Sequence, residues 1–201
     1  MKEKELFIAC GLEGKPDVEK VRELLKRDDI DFNERSVEFH LGLMTPLELV
    51  CRNGYLEIVE LLLEDPRVQA NSSNLSGVSL FYTVCTIGHL EIVKYMLMNE
   101  RIISHFKQPK IIGSAFIDSC TDKHLDVGKW ILASGRNIPK ENIESTKNSL
   151  EKNKDKNEKV VKLIQLLEKF LLDPIQTRKE LRKELGLPGL IFFLILILII
   201  S

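Results

Sequence analysis

Cysteine is the residue of this chain with the most varied chemistry, since its thiol can bind a metal, form a disulfide or attack a substrate. The 201-residue sequence contains four, separated by 41, 34 and 35 residues: Cys10, Cys51, Cys85 and Cys120. A zinc site usually contains close pairs such as C-x2-C, and a disulfide needs Cα atoms within about 7 Å. Because the intervals are close to one repeat length, they predict equivalent helices about 8–10 Å apart and four small, buried, reduced thiols.

Histidine offers a second candidate chemistry, as a metal ligand or a general base. His89 and His124 lie at equivalent positions of a repeat, whereas His40 and His105 lie in irregular segments without a cysteine or carboxylate at metal spacing. The sequence also lacks the G-x-x-x-x-G-K-[ST], G-x-G-x-x-G, H-E-x-x-H and G-x-S-x-G motifs. We therefore predict a non-enzymatic protein with no catalytic residue, no metal and no cofactor.

The elements that must position these side chains follow an internal repeat. Residues 45–63 have the sequence TPLELVCRNGYLEIVELLL, and residues 79–97, which begin 34 positions later, have the sequence SLFYTVCTIGHLEIVKYML. In each copy an N-cap residue, Thr45 or Ser79, precedes a first helix, a glycine nine positions later ends it, and LEIV begins a second helix. A period near 33 residues with two short helices per copy is typical of a helical solenoid.

Less regular copies extend the repeat over most of the chain. We predict an all-α solenoid of stacked helix-turn-helix units, with a C-terminal helical cap and a short apolar tail. In the fourth repeat, Gly128 occupies the position that Val59 and Val93 occupy in the second and third repeats, which predicts a small packing deficit. The predicted boundaries are an array over 1–172, with units 2–30, 45–69, 79–103 and 113–135 and a capping helix pair 139–172, then a charged helical linker 173–186 and the apolar tail 187–201.

The charge balance restricts the partners of the chain. It contains 29 lysines and arginines against 30 aspartates and glutamates, for a formal net charge of −1. A nucleic-acid-binding protein needs a basic face to neutralise phosphates, so we predict no nucleic-acid partner. The N-terminal sequence MKEKELFIACGLEGK is charged where a signal peptide is apolar. Together with reduced thiols, this predicts a cytoplasmic protein.

The C-terminal residues 187–201 leave three interpretations open. Residues 190–200 contain only leucine, isoleucine and phenylalanine, and four basic residues lie upstream within 178–183. As a helix, residues 187–200 would extend about 21 Å, which is short of the roughly 30 Å of a hydrocarbon core. The three interpretations are an anchor that contacts the cytosolic face of a membrane through residues 187–200, a buried or self-associating tail, and a truncated gene product.

The sequence TPLxLV, followed by a glycine and LEIVxLLL, resembles the ankyrin repeat. The resemblance covers residues 2–135 and extends over 139–172. It implies a curved array of turns and antiparallel helix pairs that binds a protein or an extended peptide on its concave face, with no small-molecule substrate. The function expected from it is that of a protein–protein interaction scaffold or adaptor. The alternative is a structural or self-associating repeat protein, or a truncated family member, with no dedicated partner.

The resemblance also implies roles for individual residues. The family often has histidine where His89 and His124 lie, which implies a structural role for both. At the fourth motif position, usually histidine, this chain has Glu48, Tyr82 and Ile117, which weakens the hydrogen bond that normally joins neighbouring turns. The partner-facing positions implied by the resemblance are Leu49, Arg52, Asn53, Thr83, Thr86, Ile87, Asp118, Thr121 and Asp122.

Overall fold

The computed structural model describes residues 2–36, 43–70, 73, 78–99, 102, 109–121, 124–152 and 158–188. Within these residues the chain forms eleven helices, and its strand-like pairing is confined to one antiparallel bridge between Ser73 and Ser79. The all-α prediction is therefore confirmed. The chain divides into two compact units, each larger than one repeat. The first unit is Met1–Lys107 and the second unit is Gln108–Ser201.

The first unit is a stack of three helical hairpins. Its helices are α1 (Lys2–Ala9), α2 (Val18–Leu25), α3 (Pro46–Asn53), α4 (Leu56–Glu64), α5 (Leu80–Ile87) and α6 (Leu90–Met98). Each odd-numbered helix packs against the even-numbered helix that follows it. Between hairpins, α2 contacts α4, α4 contacts α6, and α3 contacts α5. This stacking of helical hairpins is the solenoid architecture that the repeat predicts.

Local capping fixes where the first helices begin and end. Thr45 Oγ1 accepts a hydrogen bond from the Glu48 N–H at 3.2 Å, and the Glu48 carboxylate accepts one from the Thr45 N–H at 3.2 Å. This reciprocal pair is a capping box. Ser79 Oγ accepts a hydrogen bond from the Tyr82 N–H at 3.2 Å and so caps the start of α5. Gly54, at φ = +80°, ends α3 in the left-handed region, where a residue with a Cβ is strained.

The cysteines lie in the apolar core, as their spacing predicts. All four are at most 1% exposed, and each is a reduced cysteine outside any disulfide. Burial raises the pKa of Cys10 and of Cys120 to about 12. The pKa of Cys51 is also raised, first by burial and then by the negative charge of Glu48. Because the thiolate is disfavoured in these surroundings, the four side chains act as small apolar groups.

The second unit contains five helices in its described residues: α7 (Pro109–Thr121), α8 (Leu125–Ala133), α9 (Lys140–Glu151), α10 (Glu158–Leu172) and α11 (Pro174–Glu184). Helix α7 packs against α8 and α9, and α9 packs against α10. The segment 139–172 therefore contains two helices in contact. Their role as the cap of an array stays a prediction.

Helix α11 is more than the charged linker described from the sequence. It packs against α8 and α10, and it buries Thr177, Leu181 and Arg182. The Arg182 side chain is 2% exposed. It donates to the Ala133 carbonyl at the end of α8 at 2.8 Å and to the Pro188 carbonyl at 2.6 and 2.8 Å. The sequence pattern could not predict this contact. A long arginine side chain can be buried where carbonyl oxygens of distant residues accept the hydrogen bonds of its guanidinium, and the local sequence does not reveal those acceptors.

The packing deficit predicted at Gly128 is wrong. Gly128 is buried inside α8, and a Cβ built on it would overlap Cys120 Sγ. The Phe116 ring lies 3.7 Å from the same point. The thiol of α7 therefore occupies the space that Val59 and Val93 fill in their own repeats. The absence of a side chain at position 128 is what allows α7 and α8 to approach this closely.

The apolar tail lies mostly outside the described residues, because residues 189–201 are not among them. Among the helices that the structure describes, none has both the length and the apolar composition needed to cross a membrane. Two of the four basic residues upstream of the tail donate hydrogen bonds to backbone carbonyls of the second unit. These are Arg182, as described above, and Arg178, which donates to the Leu132 carbonyl at 3.1 Å.

Candidate functional site

The exposed ends of α3 and α5 hold most of the partner-facing positions in the first unit. Arg52 and Asn53 form the last turn of α3, and Thr86 and Ile87 occupy the same register 34 residues later in α5. Arg52, Asn53 and Ile87 are exposed, and Thr86 is half-buried, as is Thr83 one turn earlier. Because α3 packs against α5, these side chains lie on neighbouring helices. We call the five residues the α3/α5 strip: Arg52, Asn53, Thr83, Thr86 and Ile87.

Leu49 does not belong to this exposed strip. It is 3% exposed, in a helix that buries every residue from Pro46 to Cys51. The repeat register placed it beside Thr83, which occupies the equivalent position in α5. Register alone cannot distinguish the two, because burial at one position depends on the surrounding chain as well as on helix periodicity. A partner would find almost no Leu49 surface to contact.

The two threonines of the strip use their hydroxyl protons within their own helix. Thr83 Oγ1 donates to the Ser79 carbonyl at 3.3 Å, and Thr86 Oγ1 lies 3.2 Å from the Tyr82 carbonyl and 3.0 Å from the Thr83 carbonyl. A ligand would therefore meet their methyl groups and oxygen lone pairs. Ile87, which is 38% exposed, adds a large apolar side chain. Arg52 and Asn53 add a guanidinium and an amide on the α3 side of the strip. The strip therefore combines apolar groups on α5 with polar groups on α3.

A ring-on-glycine contact holds successive hairpins of the first unit in register. The His89 imidazole precedes α6 and covers Gly54, and its Nε2 lies 2.9 Å from the Arg52 carbonyl oxygen. The Tyr55 ring precedes α4 and covers Gly11 of the first hairpin in the same way. This contact fixes the end of α3 beside the end of α5, where the strip lies. The structural role expected for His89 is confirmed.

Arg35 and Glu48 replace the histidine that the family usually has at the fourth motif position. Glu48 is 7% exposed, and its carboxylate accepts from Arg35 at 3.0 and 3.2 Å. The same guanidinium donates to the Leu43 carbonyl at 2.7 Å and to the Ser73 carbonyl at 2.6 Å. Arg35 thus joins the turn before α3 to the turn before α5. It offsets the weaker hydrogen bonding between neighbouring turns that is expected from the missing histidine at position 48. Sequence reasoning missed Arg35; the signal was a glutamate at a buried position, which requires a cation.

We expect Glu48→Ala to lower the free energy of unfolding by about 2–3 kcal/mol, because it removes both the capping box and the partner of a half-buried arginine. Glu48→Gln should cost about 1 kcal/mol, since glutamine can still serve the capping box but carries no charge. Urea denaturation followed by circular dichroism measures both. The control is Glu57→Ala, which removes an exposed partner of Arg22 and should cost under about 0.5 kcal/mol. An equal cost for Glu48→Ala and Glu57→Ala would contradict this role.

Two of the positions implied in the second unit, Asp118 and Thr121, lie on α7. Asp118 is half-buried, and Thr121 is exposed at the end of the helix. Thr121 Oγ1 lies 3.1 Å from the carbonyl oxygens of Ile117 and Asp118, so its hydroxyl is bonded within α7, as Thr86 is within α5. Asp122 lies outside the described residues. The structure also brings no three histidine, cysteine, aspartate or glutamate side chains together as a metal site within the part of the chain that it describes.

A comparison with protein-family models identifies the repeat. The model of the ankyrin repeat matches residues 43–74, a segment that contains α3, α4 and their caps. Residues 43–74 therefore form an ankyrin repeat. A search of curated proteins found no match. Ankyrin repeats in general bind protein partners and are non-enzymatic interaction modules. The matched ankyrin repeat contributes Arg52 and Asn53 to the α3/α5 strip, and the following hairpin contributes the rest.

Proposed function

We propose that this ankyrin-repeat protein binds a protein or extended peptide through the α3/α5 strip and catalyses no reaction. The observation that carries the proposal is the exposure of Arg52, Asn53 and Ile87 at the adjoining ends of two packed helices. An exposed isoleucine beside a guanidinium and an amide can bind an apolar side chain and a backbone or carboxylate oxygen of one partner segment. Asp118, Thr121 and Asp122 are proposed as a separate contact of the second unit.

The strip is too small to be a whole interface. Specific protein interfaces bury about 800 Å² on each partner, over about 20–30 residues. Five side chains therefore form at most the centre of the contact, where a few residues contribute most of the binding energy. Arginine is enriched among such residues, so Arg52 and the apolar Ile87 are the side chains we expect to matter most.

We also propose a cytoplasmic location. The four buried thiols, two of them with a pKa of about 12, suit a reducing compartment.

A tether to the cytosolic face of a membrane through residues 187–200 is supported by their sequence alone. Alkaline carbonate extraction of cell membranes tests the tether. Retention of the full chain in the membrane pellet is expected if residues 187–200 insert, and release into the supernatant would contradict it.

Site-specific photo-crosslinking in cell lysate tests the binding surface. A benzophenone amino acid is placed in the full chain at position 53 or 87 of the strip, or at position 64 or 98 as controls. Glu64 and Met98 are exposed at the last residues of α4 and α6, one helix length from the turns that follow α3 and α5. We expect one protein to be captured at both strip positions and at neither control. Capture of the same proteins at all four positions would contradict a specific surface.

A charge reversal provides an independent check on the captured partner. Arg52→Glu should weaken its binding to the purified full chain by at least about tenfold, since a central arginine commonly contributes more than about 1.4 kcal/mol. The matched variant is Arg22→Glu, which reverses a charge on α2, outside the strip. Its binding should stay within about twofold of the unchanged protein. Equal losses for the two variants would show that net charge, rather than the strip, determines the affinity.

A further inference from the structure

A cavity of about 350 Å³ lies within the second unit, and no role has been assigned to it. Its wall is formed by the segment after α8, the start of α9 and the corner where α10 meets α11. The volume is at the small end of the range for ligand cavities, about 300–1,000 Å³. It is large enough for one amino-acid residue with its terminal group. The cavity is distinct from the α3/α5 strip, and the inference below does not depend on that strip.

Three cations line the cavity, and none of its described lining residues is acidic. Arg136 and Arg178 are half-buried, and Lys140 lies exposed at the rim, where its Nζ is 3.6 Å from Glu144 on the outside of α9. The Arg178 guanidinium lies 5.2 Å from the centroid of the Phe170 ring. Burial lowers the pKa of both arginines, and the charge of Arg182 lowers that of Arg178 further. Both charges are therefore poorly solvated, and an anion bound between them would be favoured.

The rest of the wall is apolar. Ile138, Ile143 and Phe170 form part of the lining, and each is at most 8% exposed. Beyond the lining, the α10–α11 corner exposes Leu172 by 87% and Ile175 by 64%. A free inorganic anion would leave these apolar groups in water. A chain that combines an anionic end with apolar side chains would cover both the cavity and the corner.

We propose that this cavity binds the C-terminal carboxylate of a partner peptide whose last side chain is apolar. Arg136 and Arg178 bind the carboxylate oxygens, for which a planar guanidinium is well shaped. The last side chain lies against Ile138, Ile143 and Phe170. The preceding residues of the peptide pass over Leu172 and Ile175. Capture of a chain terminus in this way needs only one or two residues inside the cavity.

Isothermal titration of the full chain with acetyl-Ala-Ala-Ala-Leu tests the proposal. The matched probe is the same peptide with a C-terminal amide, which keeps every apolar group and removes the charge. We expect the free acid to bind at least about tenfold more tightly than the amide, because charge-assisted hydrogen bonds contribute about 1.5–3 kcal/mol. Equal binding of the two peptides, or no binding of either at millimolar concentration, would overturn the proposal. Displacement of the acid by an equal concentration of inorganic phosphate would also overturn the apolar part of the site.

Variants of the basic residues locate the bound peptide. Arg178→Gln should weaken binding of the acid at least about tenfold, whereas Lys179→Gln, an exposed neighbour outside the lining, should leave it unchanged. Because Arg178 also bonds to α8, its variant could unfold, so Lys140→Gln at the exposed rim is the second test. We expect about a threefold loss there, as for a partly solvated charge. An equal loss in Lys179→Gln and Lys140→Gln would assign the effect to overall charge and overturn the site.

Discussion

Gly54→Ala should lower the free energy of unfolding by about 2–4 kcal/mol, the larger part of it from a collision between repeats. Gly54 has φ = +80°, and a Cβ on it would lie 2.7 Å from His89 Cε1 and 2.8 Å from Nδ1. The imidazole must move away, which removes its hydrogen bond to the Arg52 carbonyl. Urea denaturation followed by circular dichroism measures the loss.

A second glycine separates the backbone strain from the collision. Gly135 has nearly the same φ, +83°, but, its chain neighbours apart, no heavy atom of the described residues lies within 4 Å of its Cβ position. Gly135→Ala should therefore cost only the left-handed strain, about 1 kcal/mol. In the His89→Ala background, Gly54→Ala should cost a similar amount, because the imidazole is gone. If Gly54→Ala and Gly135→Ala cost the same in the unchanged protein, His89 does not lie on Gly54.

Gly128→Ala should destabilise the second unit by about 2 kcal/mol, although alanine is favoured over glycine in a helix by about 1 kcal/mol. The new methyl group would overlap Cys120 Sγ, and both Gly128 and Cys120 are buried. Overpacking a core costs about 1–3 kcal/mol, and here it must exceed the gain in helix propensity. Thermal unfolding followed by circular dichroism measures the change.

The cause is tested by removing the sulfur. Cys120→Ala alone should cost about 1 kcal/mol, because it leaves a small cavity in a buried site. The double variant Gly128→Ala/Cys120→Ala should be more stable than Gly128→Ala, since the two methyl groups fit where one methyl group and a thiol do not. A stabilisation by Gly128→Ala alone, the result that helix propensity predicts, would contradict the close contact of α7 with α8.

The hairpins of the first unit could be predicted because local chemistry and the repeat agree there. Thr45 and Ser79 cap the first helices, and Gly54 supplies the left-handed residue that ends α3. The apolar spacing then determines which faces are buried. Each of these signals lies within about ten residues of the element that it specifies. They predict the helices and their neighbours, but they do not predict how much of each side chain remains exposed.

The features that escaped prediction depend on contacts between distant segments. Leu49 is buried although its repeat equivalent Thr83 is half-buried, and Arg35 reaches Glu48 across 13 residues and Ser73 across 38. Gly128 is explained only by a thiol on another helix. The cavity of the second unit combines residues from three separate segments, and no local pattern in the sequence specifies that these segments meet. In contrast, Arg52, Asn53 and Ile87, which the resemblance to the ankyrin repeat places on the partner-facing side, are exposed. Their contact with a partner stays a prediction.

The central structural claim concerns how consecutive hairpins stack: a ring at the turn of one hairpin lies on a glycine of the preceding hairpin. Nuclear Overhauser spectroscopy measures it directly in the full chain. The account predicts strong cross-peaks between the His89 Hε1 proton and the Gly54 α protons, and between the Tyr55 ring protons and the Gly11 α protons. Absence of both cross-peaks in a spectrum that resolves these protons would contradict the stack, and with it the α3/α5 strip.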